Sequence, residues 1–123
     1  MSDPKRVIAD QKGRDAEAQA AQWLMQQGWD VVAERVKTKL GEIDLIAKKP
    51  GIVGFFEVKW RKRAANLADA IDERRLARVA AAVEIVAYDY AQPTDDITID
   101  VLLLAPGQKP RHTPMLGCLK EHS

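Results

Sequence analysis

Hydrophobic positions along the chain recur with two different periods, which predict two helices and several strands. The first predicted helix spans 13–27, and its apolar residues fall on one face: Ala16, Ala20, Trp23 and Leu24. Gly28 is a natural stop for this helix. A second predicted helix begins near Asn66, which can cap it, and continues to Tyr90 with one apolar face.

The segments between the helices carry strand patterns. Trp29–Lys37 contains β-branched residues, and Gly41–Lys48 and Ile52–Trp60 alternate. The alternation predicts two faces for each strand. On the second strand these are Ile43, Leu45 and Ala47 against Glu42, Asp44 and Ile46; on the third they are Phe55, Glu57 and Lys59 against Phe56, Val58 and Trp60. The apolar run Ile97–Ala105 is typical of a central strand, and Met115–Leu119 is a candidate last short strand.

The predicted element order is therefore α-β-β-β-α-β, with a candidate short terminal strand. This order places the chain in the α/β class, as an α+β mixed sheet with helices packed on it. Its 123 residues predict one domain over 1–123. We expect the two ends, 1–12 and 106–123, to be irregular.

Composition excludes several classes of protein. The single cysteine, Cys118, excludes an internal disulfide and a thiolate-rich zinc site. The aliphatic runs are far shorter than the about 20 residues that span a bilayer, so we expect a cytoplasmic protein with no membrane partner. Cys118, His112 and His122 all fall in the predicted irregular tail, which argues against cysteine or histidine hydrolase chemistry.

The basic residues are unevenly distributed. The whole chain has a net charge of only +1, but residues 35–63 contain nine basic and three acidic residues. Such a segment favours polyanions such as nucleic acid through counterion release. A solvated strand surface with lysines protecting a sheet edge would have the same composition. The charge pattern alone leaves both interpretations open.

A predicted turn at Pro50 and Gly51 brings acidic residues together. It sets Asp44 opposite Glu57 across a hairpin, with their Cβ atoms about 5 Å apart. Carboxylates that close repel each other unless a divalent cation such as Mg²⁺ lies between them. Lys59 shares the face of Glu57, and Glu42 would lie opposite Lys59. The alternative is an exposed ion network, worth under about 1 kcal/mol per pair.

Glu17 lies seven residues before Leu24, which places it at the edge of the buried face of the first helix. It is therefore not on the face of the helix that points to water. The alternative is a first-turn glutamate that the helix dipole favours.

Three segments together resemble the YraN family, a small bacterial family with a restriction-endonuclease-like fold. They are Gly13-x-x-Ala16-Glu17-x-x-Ala20, the run GEIDLI from Gly41, and the run FEVK from Phe56. The pattern is also similar to archaeal Holliday-junction resolvases and other members of the PD-(D/E)XK nuclease superfamily. The resemblance extends from about Gly13 through Val101. It departs from the family at Arg35, where asparagine is common.

The resemblance implies a nuclease that depends on Mg²⁺ or Mn²⁺ and acts on DNA or another nucleic acid. It makes Asp44 and Glu57 the metal-binding carboxylates, Lys59 the catalytic lysine, and Glu17 the acid that completes the site. Glu42 and Asp100 match acidic positions whose role the resemblance does not assign. For Asp100 the alternative is a charge paired at the end of the sheet.

Six basic residues are the expected phosphate contacts: Lys37, Arg61, Lys62, Arg63, Arg75 and Arg78. Arg75 shares a helix stripe with Val79, so we expect it to lean over the sheet. Its stem could equally cover apolar surface while its head reaches water. Trp60 is either a base-stacking residue or part of the core.

Three function classes stay open. The first is the nuclease. The second is a non-catalytic nucleic-acid-binding protein of the same fold, and the third is an adaptor in a DNA-processing complex. A homodimer would suit a junction-cutting enzyme, since a symmetric substrate needs two sites.

Overall fold

The computed structural model describes residues 4–63 and 73–116, with side chains over 14–63 and 73–113. The two helices are α1 (Pro4–Gln26) and α2 (Glu73–Tyr90). The strands are β1 (Asp30–Lys37), β2 (Glu42–Lys49), β3 (Ile52–Trp60), β4 (Asp96–Leu104) and β5 (Arg111–Leu116). The chain is thus a mixed α+β fold of order α-β-β-β-α-β-β, and the predicted fold class is confirmed.

The five strands form one sheet in the order β1-β2-β3-β4-β5. Three neighbouring pairs are antiparallel, and β3 and β4 are parallel. Parallel strands need a long crossover connection, and α2 lies within the connection from β3 to β4. β4 lies between two neighbours and is buried along most of its length, as predicted for a central strand.

The helices cover opposite faces of the sheet, so the protein has two cores. The α2-side core contains Val79 and Val83 of α2 with Ile43, Ile46 and Phe55 of the sheet. The α1-side core joins α1 to the other face, and its principal members are Ala20, Leu24, Leu45, Ala47, Phe56 and Leu102. Trp60 packs against the α1-side core. The core-filling role considered for Trp60 is therefore the one observed.

Helix α1 begins at Pro4, earlier than the predicted start at Gly13. A glycine inside a helix costs only about 1 kcal/mol relative to alanine, so Gly13 does not stop it. The predicted end is correct. Gly28 has a φ of +93°, and the amide of Trp29 donates to the Leu24 carbonyl at 2.9 Å. This is the hydrogen-bond pattern of a glycine-capped helix end.

The C-terminal part of the chain is more ordered than its composition predicts. Strand β5 pairs with β4 from Leu103↔Arg111 to Ile99↔Leu116. The predicted last strand, Met115–Leu119, starts too late, and His112 lies in a strand rather than in an irregular tail. Three predicted features fall outside the described residues: the cap at Asn66 and the tail positions of Cys118 and His122.

The aliphatic runs of the sequence were predicted to be too short to span a membrane. Within 4–63 and 73–116, neither helix has an apolar stretch of the length and hydropathy that would cross a membrane.

Candidate functional site

The hairpin of β2 and β3 has the predicted register. Its pairs run from Lys49↔Ile52 at the turn to Leu45↔Phe56. Beyond Leu45 the ladder ends, so neither Asp44 and Glu57 nor Glu42 and Lys59 form a regular pair. Instead the Asp44 Oδ2 atom accepts a hydrogen bond of 2.8 Å from the backbone amide of Val58. Where the two strands separate, the Asp44 side chain thus replaces a backbone carbonyl of β2 as the hydrogen-bond acceptor for β3.

The predicted faces of β2 are wrong around Asp44. Ile43 and Ile46 both pack in the α2-side core, whereas Leu45 and Ala47 pack in the α1-side core. In a regular strand residues two apart share a face, so Ile43 and Leu45 reveal a break in the alternation next to Asp44. In contrast, β3 keeps its predicted alternation, with Phe55 and Phe56 in opposite cores.

Asp44 is buried, with a relative exposure of 5%. Burial raises the pKa of Asp44 to about 7, and the negative charge of Glu57 adds to the rise. The hydrogen bond from the Val58 amide acts in the opposite direction, and the charge of Glu17 raises the pKa further. Two of the predicted acids therefore act electrostatically on the third.

Glu57 is the most strongly contacted acid. Its Oε1 atom accepts a hydrogen bond of 2.6 Å from Arg75 Nε and lies 3.3 Å from Lys59 Nζ. Its Oε2 atom is buried and has no hydrogen-bond partner. A buried carboxylate oxygen without a donor costs free energy of about 1–3 kcal/mol or more. The arrangement confirms that Lys59 shares the face of Glu57 and that Arg75 leans over the sheet.

Glu17 lies at the edge of the buried face of α1, as predicted, with 16% of its side chain exposed. Because α1 begins at Pro4, Glu17 is not in its first turn, and the helix-dipole explanation is wrong. Its Oε1 atom accepts a 2.6 Å hydrogen bond from Arg35 Nε. That bond raises the pKa of Arg35. Glu17 is thus held by Arg35 of β1. Among the described side chains, it forms no hydrogen bond with Asp44 or Glu57.

Arg35 has an unusual backbone conformation. Its φ is +53°, in the left-handed region that few residues other than glycine and asparagine adopt. It falls between the pairs Glu34↔Leu45 and Val36↔Ile43, which places it opposite Asp44. The strained backbone therefore lies beside the acidic residues and carries the side chain that holds Glu17. Sequence reasoning treated Arg35 only as a departure from the family and missed this contact.

The residues of the site do not form a complete ligand cage. Among the residues that the structure describes, no three aspartate, glutamate, histidine or cysteine side chains are grouped closely enough to hold a metal ion. The structure brings together Asp44, Glu57, Lys59 and Arg75. Glu17 lies at the edge of this group and is paired with Arg35.

The other predicted basic residues differ in exposure and in contacts. Lys37, Lys62 and Arg63 are exposed. Arg61 Nη1 donates to the Trp60 carbonyl at 2.8 Å. Arg78 is exposed on α2, where it lines a pocket with Arg75. Arg75 and Arg78 thus share one pocket, and Lys37 pairs across the strands with Glu42 of the same lining.

A second polar cluster lies on the α1 side of the sheet. Asp100 is buried, and its Oδ2 atom bonds with His112 Nε2 at 2.9 Å and Thr98 Oγ1 at 3.1 Å. The His112 ring contacts Trp23 and Phe56. Asp100 is thus hydrogen-bonded, as the alternative to a site role expected, but in the middle of β4 rather than at the end of the sheet. An aspartate inside an apolar strand signals a partner, but the sequence did not indicate that His112 supplies it.

Comparison with known proteins agrees with the motif resemblance. Residues 16–104 match the family described as "Uncharacterised protein family UPF0102". A UPF0102 protein of Erythrobacter litoralis is 60% identical over 108 residues, which cover 88% of this chain and 93% of the relative. A UPF0102 protein of Sphingopyxis alaskensis is 53% identical over 107 residues, covering 87% and 92%. The chain belongs to the UPF0102 family, which is the YraN family that its motifs resemble.

Proposed function

We propose that this protein is a divalent-metal-dependent nuclease of the restriction-endonuclease-like superfamily, which hydrolyses phosphodiester bonds in DNA or another nucleic acid. One observation carries the proposal. Glu57 is a buried carboxylate with an unpartnered oxygen, and its charge acts on a second buried carboxylate, Asp44, of the neighbouring strand. A fold retains such a pair at a cost in stability, and carboxylates with a shifted pKa, such as that of Asp44, concentrate at functional sites.

The donor set fits a hard cation. Mg²⁺ binds proteins through one or two carboxylates and keeps several waters, so Asp44 and Glu57 are sufficient to hold Mg²⁺ or Mn²⁺. Glu17 would add a third carboxylate only by leaving Arg35. A bound cation supplies positive charge to a phosphate and makes water a better nucleophile.

Lys59 and the basic residues supply the remaining functions. The Lys59 ammonium, 3.3 Å from Glu57 Oε1, supplies donors to a phosphate oxygen or to the attacking water. Arg75 and Arg78 lie beside the acids and supply phosphate contacts that do not depend on base sequence. Lys37, Lys62 and Arg63 extend the basic surface.

Cleavage assays with two carboxylate variants test the proposal. Asp44→Asn and Glu57→Gln should reduce Mg²⁺-dependent cleavage of linear, flapped and four-way DNA by at least about 100-fold, the upper range for residues that merely support metal ligands. Both variants should keep the circular dichroism spectrum of the unmodified protein. Asp30→Asn and Glu84→Gln, at exposed positions away from the site, should cleave normally. Cleavage that persists in EDTA or in both site variants would contradict the proposal.

A non-catalytic nucleic-acid-binding protein is the second candidate. It is favoured by the basic partners that the acids already have: Glu57 has Arg75 and Lys59, and Glu17 has Arg35. In that case DNA would be retarded in gels equally with and without Mg²⁺, binding would weaken steeply with salt, and no new fragments would form.

A further inference from the structure

A small pocket lies between the start of β2 and the first turns of α2. It has a volume of about 130 Å³ and is lined by Gly41, Glu42, Arg75, Arg78 and Val79. This volume has room for several waters or one tetrahedral anion. It is smaller than the about 300 Å³ at which drug-sized ligand pockets begin.

Gly41 brings the two walls of this pocket together. A Cβ atom at this position would lie 2.6 Å from the backbone oxygen of Arg78 and 3.4 Å from its Cβ atom. The backbone just before β2 thus passes that of α2 at a distance that only glycine allows. This contact fixes Arg78 at the rim, and the turn before Gly41 is held by a 2.8 Å bond from the Thr38 amide to the Gly41 carbonyl.

The charges of the lining match a singly charged anion. The two guanidinium groups and the Glu42 carboxylate of the lining sum to one positive unit, and Arg75 also pairs with Glu57 outside the lining. An internal phosphodiester carries one negative charge, whereas a terminal phosphate group carries about 1.5 to 2 at pH 7. Arginine forks fit phosphate oxygens through paired hydrogen bonds, and Glu42 disfavours the more highly charged terminal group.

Arg75 belongs to this pocket and to the acidic site at once. Its Nε atom donates to Glu57 Oε1 at 2.6 Å, and its side chain is 52% exposed while that of Glu57 is 5% exposed. An arginine has five N–H donors, so Arg75 can contact Glu57 and an anion in the pocket together. A bound anion would offset the positive charge that Arg75 presents to Glu57. Glu57 would then attract a cation more strongly.

We propose that this pocket binds one internal phosphodiester group of a nucleic-acid strand, and that Arg75 couples its occupancy to cation binding at Glu57. Pocket binding requires no metal. The coupling rests on the proposed function, because it takes Glu57 to be a metal ligand.

The pocket is tested in EDTA by NMR of the full chain labelled with ¹⁵N. The probes are a dinucleoside monophosphate, which has one internal phosphodiester, and inorganic phosphate. We expect the dinucleoside monophosphate to shift the Gly41 amide and the Nε–H signals of Arg75 and Arg78, and to bind more tightly than inorganic phosphate. Arg78→Met should weaken binding about tenfold, the equivalent of one charge-assisted hydrogen bond.

Arg74→Met is the matched control, because Arg74 is an exposed arginine of the same helix that does not line the pocket. It should leave the dissociation constant unchanged. Pocket binding is overturned if these signals do not move, if inorganic phosphate binds more tightly than the diester, or if Arg74→Met and Arg78→Met weaken binding equally.

The coupling is tested by calorimetric titration of Ca²⁺, with and without saturating dinucleoside monophosphate. We expect Ca²⁺ to bind several-fold more tightly with the probe present, within the usual range for coupled sites of about 5- to 150-fold. Arg75→Met should strengthen Ca²⁺ binding in the absence of probe and remove the difference. Equal Ca²⁺ affinities with and without probe would overturn the coupling. Diester binding in EDTA by a protein that cleaves no DNA would leave the pocket standing and overturn the nuclease alone.

Discussion

Asp44 combines burial with a strand irregularity and a charged neighbour, and all three follow from its position at the end of the β2–β3 ladder. Its carboxylate accepts a hydrogen bond from the Val58 amide, in place of a backbone carbonyl of β2. Burial and the charge of Glu57 then raise its pKa to about 7, from a usual value near 4. At neutral pH the ionised form is therefore destabilised in the folded protein.

This pKa predicts the sign of a pH effect. Between about pH 4 and pH 7 the folded protein binds more protons at Asp44 than the unfolded chain, so this residue lowers stability as the pH rises through that window. Asp44→Asn removes the effect and keeps an acceptor for the Val58 amide. Urea unfolding should show the variant to be more stable than the unmodified protein by about 4 kcal/mol at pH 8, because each pKa unit corresponds to about 1.4 kcal/mol, with a much smaller difference at pH 4.5. A difference that does not change with pH would contradict the assigned pKa.

Arg35 supports a second prediction at this scale. Its φ of +53° costs about 1–2 kcal/mol for a residue with a Cβ atom, and glycine avoids that cost. Arg35→Gly and Arg35→Ala both lose the ion pair with Glu17, so their difference isolates the backbone term. Arg35→Gly should have the higher free energy of unfolding by about 1 kcal/mol. At Glu34, an exposed neighbour outside the left-handed region, glycine should be the less stable replacement.

At the scale of elements, α2 positions the basic side chains and β2 positions the acid. Gly41, directly before β2, approaches the backbone of Arg78 in α2 so closely that a Cβ atom there would lie 2.6 Å from the Arg78 oxygen. From there Arg75 reaches Glu57 on β3 and Arg78 lines the pocket. The geometry of the site therefore depends on the distance between α2 and the sheet.

Gly41→Ala tests this dependence. The new Cβ atom would lie 2.6 Å from the Arg78 carbonyl oxygen, so α2 or β2 must shift. We expect a loss of about 1–3 kcal/mol in unfolding free energy and a changed Nε–H signal of Arg75 in NMR spectra. Gly51→Ala is the control: its φ of +80° makes alanine strained, but nothing lies within 4 Å. It should lose stability while the Arg75 signal stays in place. An unchanged Arg75 signal in Gly41→Ala would contradict the proposed dependence.

At the scale of the whole molecule, the sequence predicted features that depend on neighbouring residues better than it predicted contacts between distant parts of the chain. The Pro50–Gly51 turn has a two-residue loop, and it determined the β2–β3 register correctly. The spacing of Glu57 and Lys59 likewise predicted a shared face, because strand alternation is a local property.

The contacts that complete the site join distant parts of the chain. Arg75 reaches Glu57 from α2, and Arg35 reaches Glu17 from β1. In the separate polar cluster, β5 likewise supplies a partner for Asp100. No spacing within one element specifies such pairs. The break in β2 alternation was missed for a related reason, since the bond that produces it joins Asp44 to another strand.

The acidic site also has a consequence for the fold as a whole. Three acids, Glu17, Asp44 and Glu57, lie among three basic residues, Arg35, Lys59 and Arg75. These basic residues allow the protein to fold with its acids in place. If Glu57 holds a cation as proposed, that cation would compete with Arg75 and Lys59 for Oε1, whereas the buried Oε2 atom has no hydrogen-bond partner to displace.

The central claim is that Asp44 and Glu57 together hold a divalent cation, and paramagnetic Mn²⁺ tests it most directly. Substoichiometric Mn²⁺ should broaden the amide signals of Asp44, Glu57 and Val58 before all others. Excess Mg²⁺ should reverse the broadening, and Asp44→Asn and Glu57→Gln should each remove it. Broadening centred elsewhere, or broadening of the same signals that persists in both variants, would contradict the account.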